Sequence, residues 1–400
     1  MSRVPAPRMA ALALAPLLLL PAILAGGETT TTQDGPRVPC VYCKDKGFKE
    51  CRKHSKADLE LEDDGVVRFC SDLASCKECL GTLMIDCDHC KNAAVEEDIA
   101  KRAARLQEWL AMRRKKVDEV IGHQCLQGAG DHVDLVWDLK PMMVGKRKVG
   151  PHEMLHLYIQ RMEALRKDFI EVVQIPSVQQ KARIELYAWR DGGDQYVAAS
   201  KFAGQGSKGQ GVKFLGSTAI YTMLYDKSKI RGDEDLHRNF VHNVAHLLLA
   251  NADPAQWIGQ LGGGWIDEGF AHYFEHRLDL QCTTHCFQEV ATDINFKPGN
   301  WLVPVRRKVA AGRLPSFAEV AAKNTDQLDG VEHMLVFSYV HFLLEGTLVE
   351  KDHGKAFMRL VDKLKAKQSA GEALRYAYKI GAAQFEEKWK EWVLETYPTR

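Results

Sequence analysis

Four short motifs near the N-terminus limit what this 400-residue chain can fold into more than any other feature. "CVYCKDKGFKECRKH" is CxxC, seven residues, then CxxH: Cys40, Cys43, Cys51 and His54. "CKECLGTLMIDCDHC" is CxxC, seven residues, then CxxC: Cys76, Cys79, Cys87 and Cys90. A CxxC knuckle turns two thiolates toward one point, and two knuckles complete a tetrahedral site. Seven Cys and one His supply eight ligands, sufficient for two Zn²⁺ ions. A histidine at the cysteine spacing favours metal over disulfides, because imidazole ligates zinc and cannot form a bridge. The competing arrangement is an oxidised disulfide framework, which an exported chain would favour. The stretch is short and charged, with few large apolar residues, so ligation must supply much of its stability.

Export is what the N-terminus predicts. Arg3 and Arg8 precede "MAALALAPLLLLPAILAGG", a short apolar run ending in small residues. That is the layout of a secretory signal peptide, taken here as residues 1–27. Pro16 and Pro21 interrupt the run, which is short for a membrane span, and no later segment is long and apolar enough to cross a bilayer. "ETTTTQDGPRVP", within residues 28–39, reads as a polar linker with nothing to bury. The mature chain is therefore expected to be secreted or periplasmic, with no membrane span after signal removal. Lys+Arg 54 against Asp+Glu 53 leaves a net charge of +1, so no global field favours nucleic acid. A protein or peptide ligand is the expected partner.

The knuckle stretch, residues 40–92, resembles the cysteine-rich zinc domain of DnaJ-type chaperones. In that family the first knuckle shares an ion with the fourth, and the second with the third. The resemblance implies one site of Cys40, Cys43, Cys87 and Cys90 and another of Cys51, His54, Cys76 and Cys79. The family's glycines after each knuckle are only partly present, as Gly47 and Gly81, so sequential pairing stays open. No J-domain signature accompanies the knuckles, and a chaperone cycle is not implied. Cys70, Cys125, Cys282 and Cys286 remain; Cys282 and Cys286 in "CTTHC" could pair with each other or with the other two.

"AAVEEDIAKRAARLQEWLAMRRKKVDEVIG" has helical spacing without Gly or Pro before Gly122, and predicts one long connecting helix over residues 93–122. The rest, residues 123–400, reads as one α+β domain. "HVDLVWDLKPMMV", "ARIELYAWR", "QYVAASKF" and "VKFLGSTAIYTMLYD" read as strands, and "PHEMLHLYIQRMEALRKDFIEVV" as a helix opening on Pro151. After Asp233 the chain is mostly helical.

In that helical half, "VHNVAHLLLA" places His242 and His246 four residues apart, on one helix face and within reach of one metal. "GGGWIDEGFAHYFEHR" then supplies Glu268 at a new helix start, with 21 residues between it and His246. Gly269 and Ala271 are small enough to let this helix pack close to the first. The pair resembles the gluzincins, zinc peptidases of the thermolysin and aminopeptidase type, in which HExxH gives two ligands and a WxxEGxAxYxE helix the third. "LPSFAEVAA", "VFSYVHFLLEG" and "FEEKWKEWVLETY" resemble the stretches that follow in peptidase MA-like proteins. The resemblance covers roughly residues 130–400. It implies a zincin-like domain, a small sheet followed by a helical half, with a third zinc on His242, His246 and Glu268.

One position departs from the family. The glutamate that serves as general base follows the first histidine; here it is Asn243, and a carboxamide has no basic oxygen at neutral pH. Family members also place an oxyanion-donating tyrosine where this chain has His333. Asp267, His272 and Glu275 are other candidates for a replacement base. Three outcomes stand open: an exported zinc-binding homologue impaired in catalysis and acting in protein binding, a working metallohydrolase with a non-standard base, or a structural protein whose HNVAH histidines hold no metal.

Overall fold

The computed structural model describes residues 39–54, 66–90, 92–176, 180, 182–207, 211–216, 218–286 and 297–400. The expected signal peptide and all but the last residue of the linker lie outside them. The chain is α+β. Its strands are β1 (Phe48–Glu50), β2 (Phe69–Cys70), β3 (Met84–Asp86), β4 (Leu126–Ala129), β5 (Val133–Trp137), β6 (Met142–Val144), β7 (Arg147–Val149), β8 (Arg183–Trp189), β9 (Gly211–Phe214) and β10 (Thr218–Leu224). Six form one sheet in the order β2-β4-β5-β8-β10-β9. The centre, β5-β8-β10, is parallel; β2, β4 and the far edge β9 run antiparallel to their neighbours. β2 comes from inside the knuckle stretch, so that stretch and the body share a sheet.

Alternation along the central strands divides the core. Leu135, Leu186 and Tyr221 pack on one side with Met154, Ile159, Phe240 and Val244 of the helices. Val136, Tyr187, Trp189 and Ile220 pack on the other with Val117 and Ala198. The first side is covered by α3 (Pro151–Val173) and α5 (Asp233–Asn251), the second by α4 (Gly192–Phe202).

Two sequence expectations change here. "QYVAASKF" lies in α4, not in a strand. Tyr196 and Val197 favour a strand, but Asp191 caps the helix by accepting from the Gly193 and Asp194 amides, and Ala198 and Ala199 seat it against the sheet without steric cost. The connecting segment is helical throughout but not uniform: α1 (Ala93–Trp109) passes through a π-helical turn at Leu110–Arg114 into α2 (Lys115–Ile121).

The helical half continues through α6 (Gly264–Asp279), α7 (Leu302–Ala311), α8 (Phe317–Ala321), α9 (Gly330–Glu345), α10 (His353–Lys365), α11 (Ala370–Tyr378) and α12 (Ala382–Thr396). α9 is apolar around most of its circumference and is buried accordingly. Gly269 does create a close approach, but to α9 and not to α5. A Cβ at this position would stand 2.4 Å from the Val336 carbonyl oxygen. Among the described residues no helix is long and apolar enough to cross a membrane.

Candidate metal centres

α5 is fixed at its start. Asp233 receives both guanidinium nitrogens of Arg161 (2.7 and 2.9 Å) and the Tyr158 hydroxyl (2.9 Å), and three acidic residues complement the helix dipole there. Two and a half turns on, His242 and His246 are wholly buried, with their Nε2 atoms 3.2 Å apart. α6 lies alongside and brings in Glu268, also wholly buried: Oε1 is 3.2 Å from His246 Nε2 and Oε2 is 3.7 Å from His242 Nε2. The three ligands expected from the sequence are thus in one place.

The far nitrogens show which protonation the site requires. His242 Nδ1 faces Glu275 Oε2 at 3.2 Å, and His246 Nδ1 faces Asp267 Oδ1 at 2.8 Å. With those Nδ1 protons donated to carboxylates, two Nε2 lone pairs and a buried carboxylate converge on one point. Such an arrangement could hold a cation. Burial alone would lower the His242 pKa, yet Cys286, Glu275 and Glu268 raise it to about 9, and Asp267 holds His246 well above the ordinary imidazole value against its burial; without a metal the pair itself would carry the positive charge that faces Glu268.

Asp267 and Glu275 therefore orient the histidines and are not placed as bases. Glu275 Oε1 also accepts from the Thr283 and Thr284 amides at 2.9 Å each, and Asp267 Oδ2 from the Thr325 hydroxyl at 3.1 Å. His272 meets Glu268 Oε2 at 3.4 Å, as its i+4 spacing implies, but burial holds its pKa near 3 and makes it a poor proton acceptor. His333, near the start of α9, lies 3.3 Å from Glu268 Oε2 and 2.9 Å from His272 Nε2. It braces the glutamate.

Two residues complete the site that sequence reasoning did not assign to it. Cys286 Sγ lies 3.3 Å from His246 Nε2 and 3.6 Å from His242 Nε2, and its backbone N–H donates to Glu268 Oε2 at 3.5 Å. Lys213, on edge strand β9, donates to Asn243 Oδ1 at 3.0 Å and reaches Cys286 Sγ at 2.6 Å. Asn243 spends its own N–H on the Asn239 carbonyl, 2.8 Å away. Burial and Glu268 push the Cys286 thiol up, but Lys213, His246 and His242 outweigh them and bring it to about 6. Cys282, by contrast, points to the His272 carbonyl at 3.5 Å, so the two cysteines of "CTTHC" go to different places.

Zinc fits this donor set. Zn–N and Zn–O bonds near 2.0–2.1 Å and Zn–S near 2.3 Å give tetrahedral edges of about 3.3–3.8 Å. The separations among His242 Nε2, His246 Nε2 and Cys286 Sγ run from 3.2 to 3.6 Å, and Glu268 Oε1 lies 3.2 Å from His246 Nε2.

The knuckles meet in the order that the DnaJ resemblance implies. Cys40 and Cys43 face Cys87 and Cys90 (Sγ–Sγ 3.9 and 3.2 Å), and Cys51 faces Cys76 at 3.9 Å while His54 Nε2 faces Cys79 Sγ at 3.2 Å. β1 and β3 form the antiparallel ribbon that aligns them. Left-handed turns at Lys44, Asp45 and Gly47, and at Leu80, Gly81 and Leu83, fold the chain tightly after Cys40–Cys43 and after Cys76–Cys79. The Cys79 and Glu78 amides draw the Cys76 thiol down to about 6, while burial pushes Cys79 of the same set up to about 12. No protein-family model matches this sequence, and no curated protein matches it either.

Proposed function

We propose that this chain is an exported zinc-binding protein of gluzincin type, impaired as a peptidase and acting by binding protein or peptide. One observation carries the reading: the His242–His246–Glu268 set is intact, while Asn243 stands in place of the base and Cys286 occupies the fourth position. Zinc held there supplies Lewis acidity. The chain's own residues withhold the rest. Asn243 cannot take a proton, Lys213 engages its oxygen, and a thiolate at the fourth position is a closed, structural-type ligand set. A mixed sheet with an antiparallel edge strand ahead of the two site helices supports the zincin-like fold. The signal-like N-terminus supports export to a secreted or periplasmic location. The two knuckle sets support two further zinc ions in a module that grips or stabilises.

Elemental analysis of the purified full chain, set beside a peptide-cleavage assay, tests this. His246→Gln should lose one zinc equivalent, and wild-type cleavage should stay near background. Robust chelator-sensitive hydrolysis by the wild type would overturn the reading, as would a metal content that His246→Gln leaves unchanged.

A further inference from the structure

The chain carries an unbroken HExxH elsewhere: His152, Glu153, Met154, Leu155 and His156, in the first turns of α3. Its histidines lie one turn apart with ring centroids separated by 4.8 Å. α3 lies directly on β4, close enough that a Cβ at Gly128 would meet Leu155 Cδ2 at 2.8 Å. Cys70, whose register partner is Gly128, is thereby brought beneath the same turns. Cys70 Sγ is 3.6 Å from His152 Nδ1, and Asp72 Oδ2 is 3.4 Å from that nitrogen. Ligand atoms of Cys70, His152 and His156 all fall within 4.8 Å of one another. Cys70 and His156 are buried, and His152 nearly so.

We propose that Cys70, His152 and His156, completed by Asp72, bind a further divalent cation of the zinc class at the joint between the knuckle stretch and the body. The donor set is one thiolate, two imidazoles and a carboxylate, the set zinc selects. The contacts at His152 Nδ1, 3.4 and 3.6 Å, match tetrahedral edges of about 3.3–3.8 Å. Glu153, the base position of this motif, is engaged by Arg147 instead, with one contact at 2.8 Å. The site is accordingly a staple and not a hydrolytic centre. Cys70 lies between the two ligand pairs of the second knuckle set, Cys51/His54 and Cys76/Cys79. A metal here would tie that stretch to α3 independently of the knuckle ions. The metal-free alternative is a Cys70–His152 ion pair.

Metal counting on the full chain separates the two. Zinc per chain is measured for the wild type, Cys70→Ala, His152→Gln and Cys70→Asp, with folding checked by circular dichroism. The set is repeated in a His246→Gln background, so that loss at α3 is counted whether or not the α5 site binds. Cys70→Ala and His152→Gln should each lose one equivalent in both backgrounds, and Cys70→Asp, which keeps a ligand atom, should retain it. Wild-type zinc content in folded Cys70→Ala and His152→Gln would overturn the proposal and leave the ion pair. Loss in Cys70→Asp as complete as in Cys70→Ala would overturn it as well.

Discussion

Asn243→Glu alone should stay close to the wild-type background, and hydrolysis should emerge only when Cys286 is removed with it. A missing general base typically costs ~10²–10⁴ in rate, about 3–5 kcal/mol of barrier at ~1.4 kcal/mol per decade. Glutamate adds a methylene and a carboxylate at a buried position and gives up the hydrogen bond to the Asn239 carbonyl, so folding of each variant is checked by circular dichroism. Two obstacles then remain at the site. Cys286 Sγ, 3.3 Å from His246 Nε2, would compete with an attacking water for a metal held by the two histidines and Glu268. Lys213 Nζ, 3.0 Å from the residue-243 oxygen, would pair with the new carboxylate. Unit charges about 4 Å apart at an effective dielectric near 20 attract by roughly 4 kcal/mol, enough to hold the carboxylate away from a proton. The expected order of chelator-sensitive cleavage on a fluorogenic peptide library is wild type ≈ Asn243→Glu < Asn243→Glu/Cys286→Ala < the same pair with Lys213→Met. The last step should exceed background by at least two decades, with zinc content confirmed for each variant. A zinc-loaded triple variant that cleaves nothing would refute the reasoning, as would full activity in Asn243→Glu alone.

Asp267→Asn and Glu275→Gln should each weaken metal binding at α5 about 10–100-fold in chelator competition, because they set the Nδ1 protons of His246 and His242. On the proposal that metal ligation is the main stabiliser of the knuckles, chelation should open residues 39–54 and 66–90 to protease before the α9 core; simultaneous cleavage of both regions would count against this. Mass spectrometry of the native protein should find the seven knuckle cysteines without disulfides, and bridged knuckles would refute metal-driven folding. Gly269→Ala should lower the denaturation midpoint by the equivalent of ~1–3 kcal/mol, because its Cβ would lie 2.4 Å from the Val336 carbonyl oxygen. An unchanged midpoint would mean that α6 and α9 can part without cost.

The parts of the site that could be read from sequence are those set by local geometry. His242 and His246 share a face because helices repeat every 3.6 residues, and Glu268 announces itself by opening the next helix. The knuckle spacings likewise encode their own turns. What stayed hidden depends on how distant segments return. Cys286 is 40 residues beyond His246, and nothing in "CTTHC" says which of its thiols turns inward. Lys213 is one polar residue in a strand run, and only the placement of β9 at the sheet edge beside α5 brings it to Asn243. α4 is hidden for the same kind of reason, since its alanines become decisive only against the sheet they touch.

Those hidden residues give the altered motif a physical logic. A glutamate at 243 would put a carboxylate beside the Cys286 thiolate and compete with it for Lys213. Asparagine is neutral, so its oxygen accepts from Lys213 while the ammonium still faces Cys286 at 2.6 Å. That leaves the thiolate compensated and free to lie against the histidine pair. Asn243, Lys213 and Cys286 are thus matched: each makes the other two electrostatically tolerable in a buried site. Substituting one alone should disturb the set, because each is balanced electrostatically by the other two.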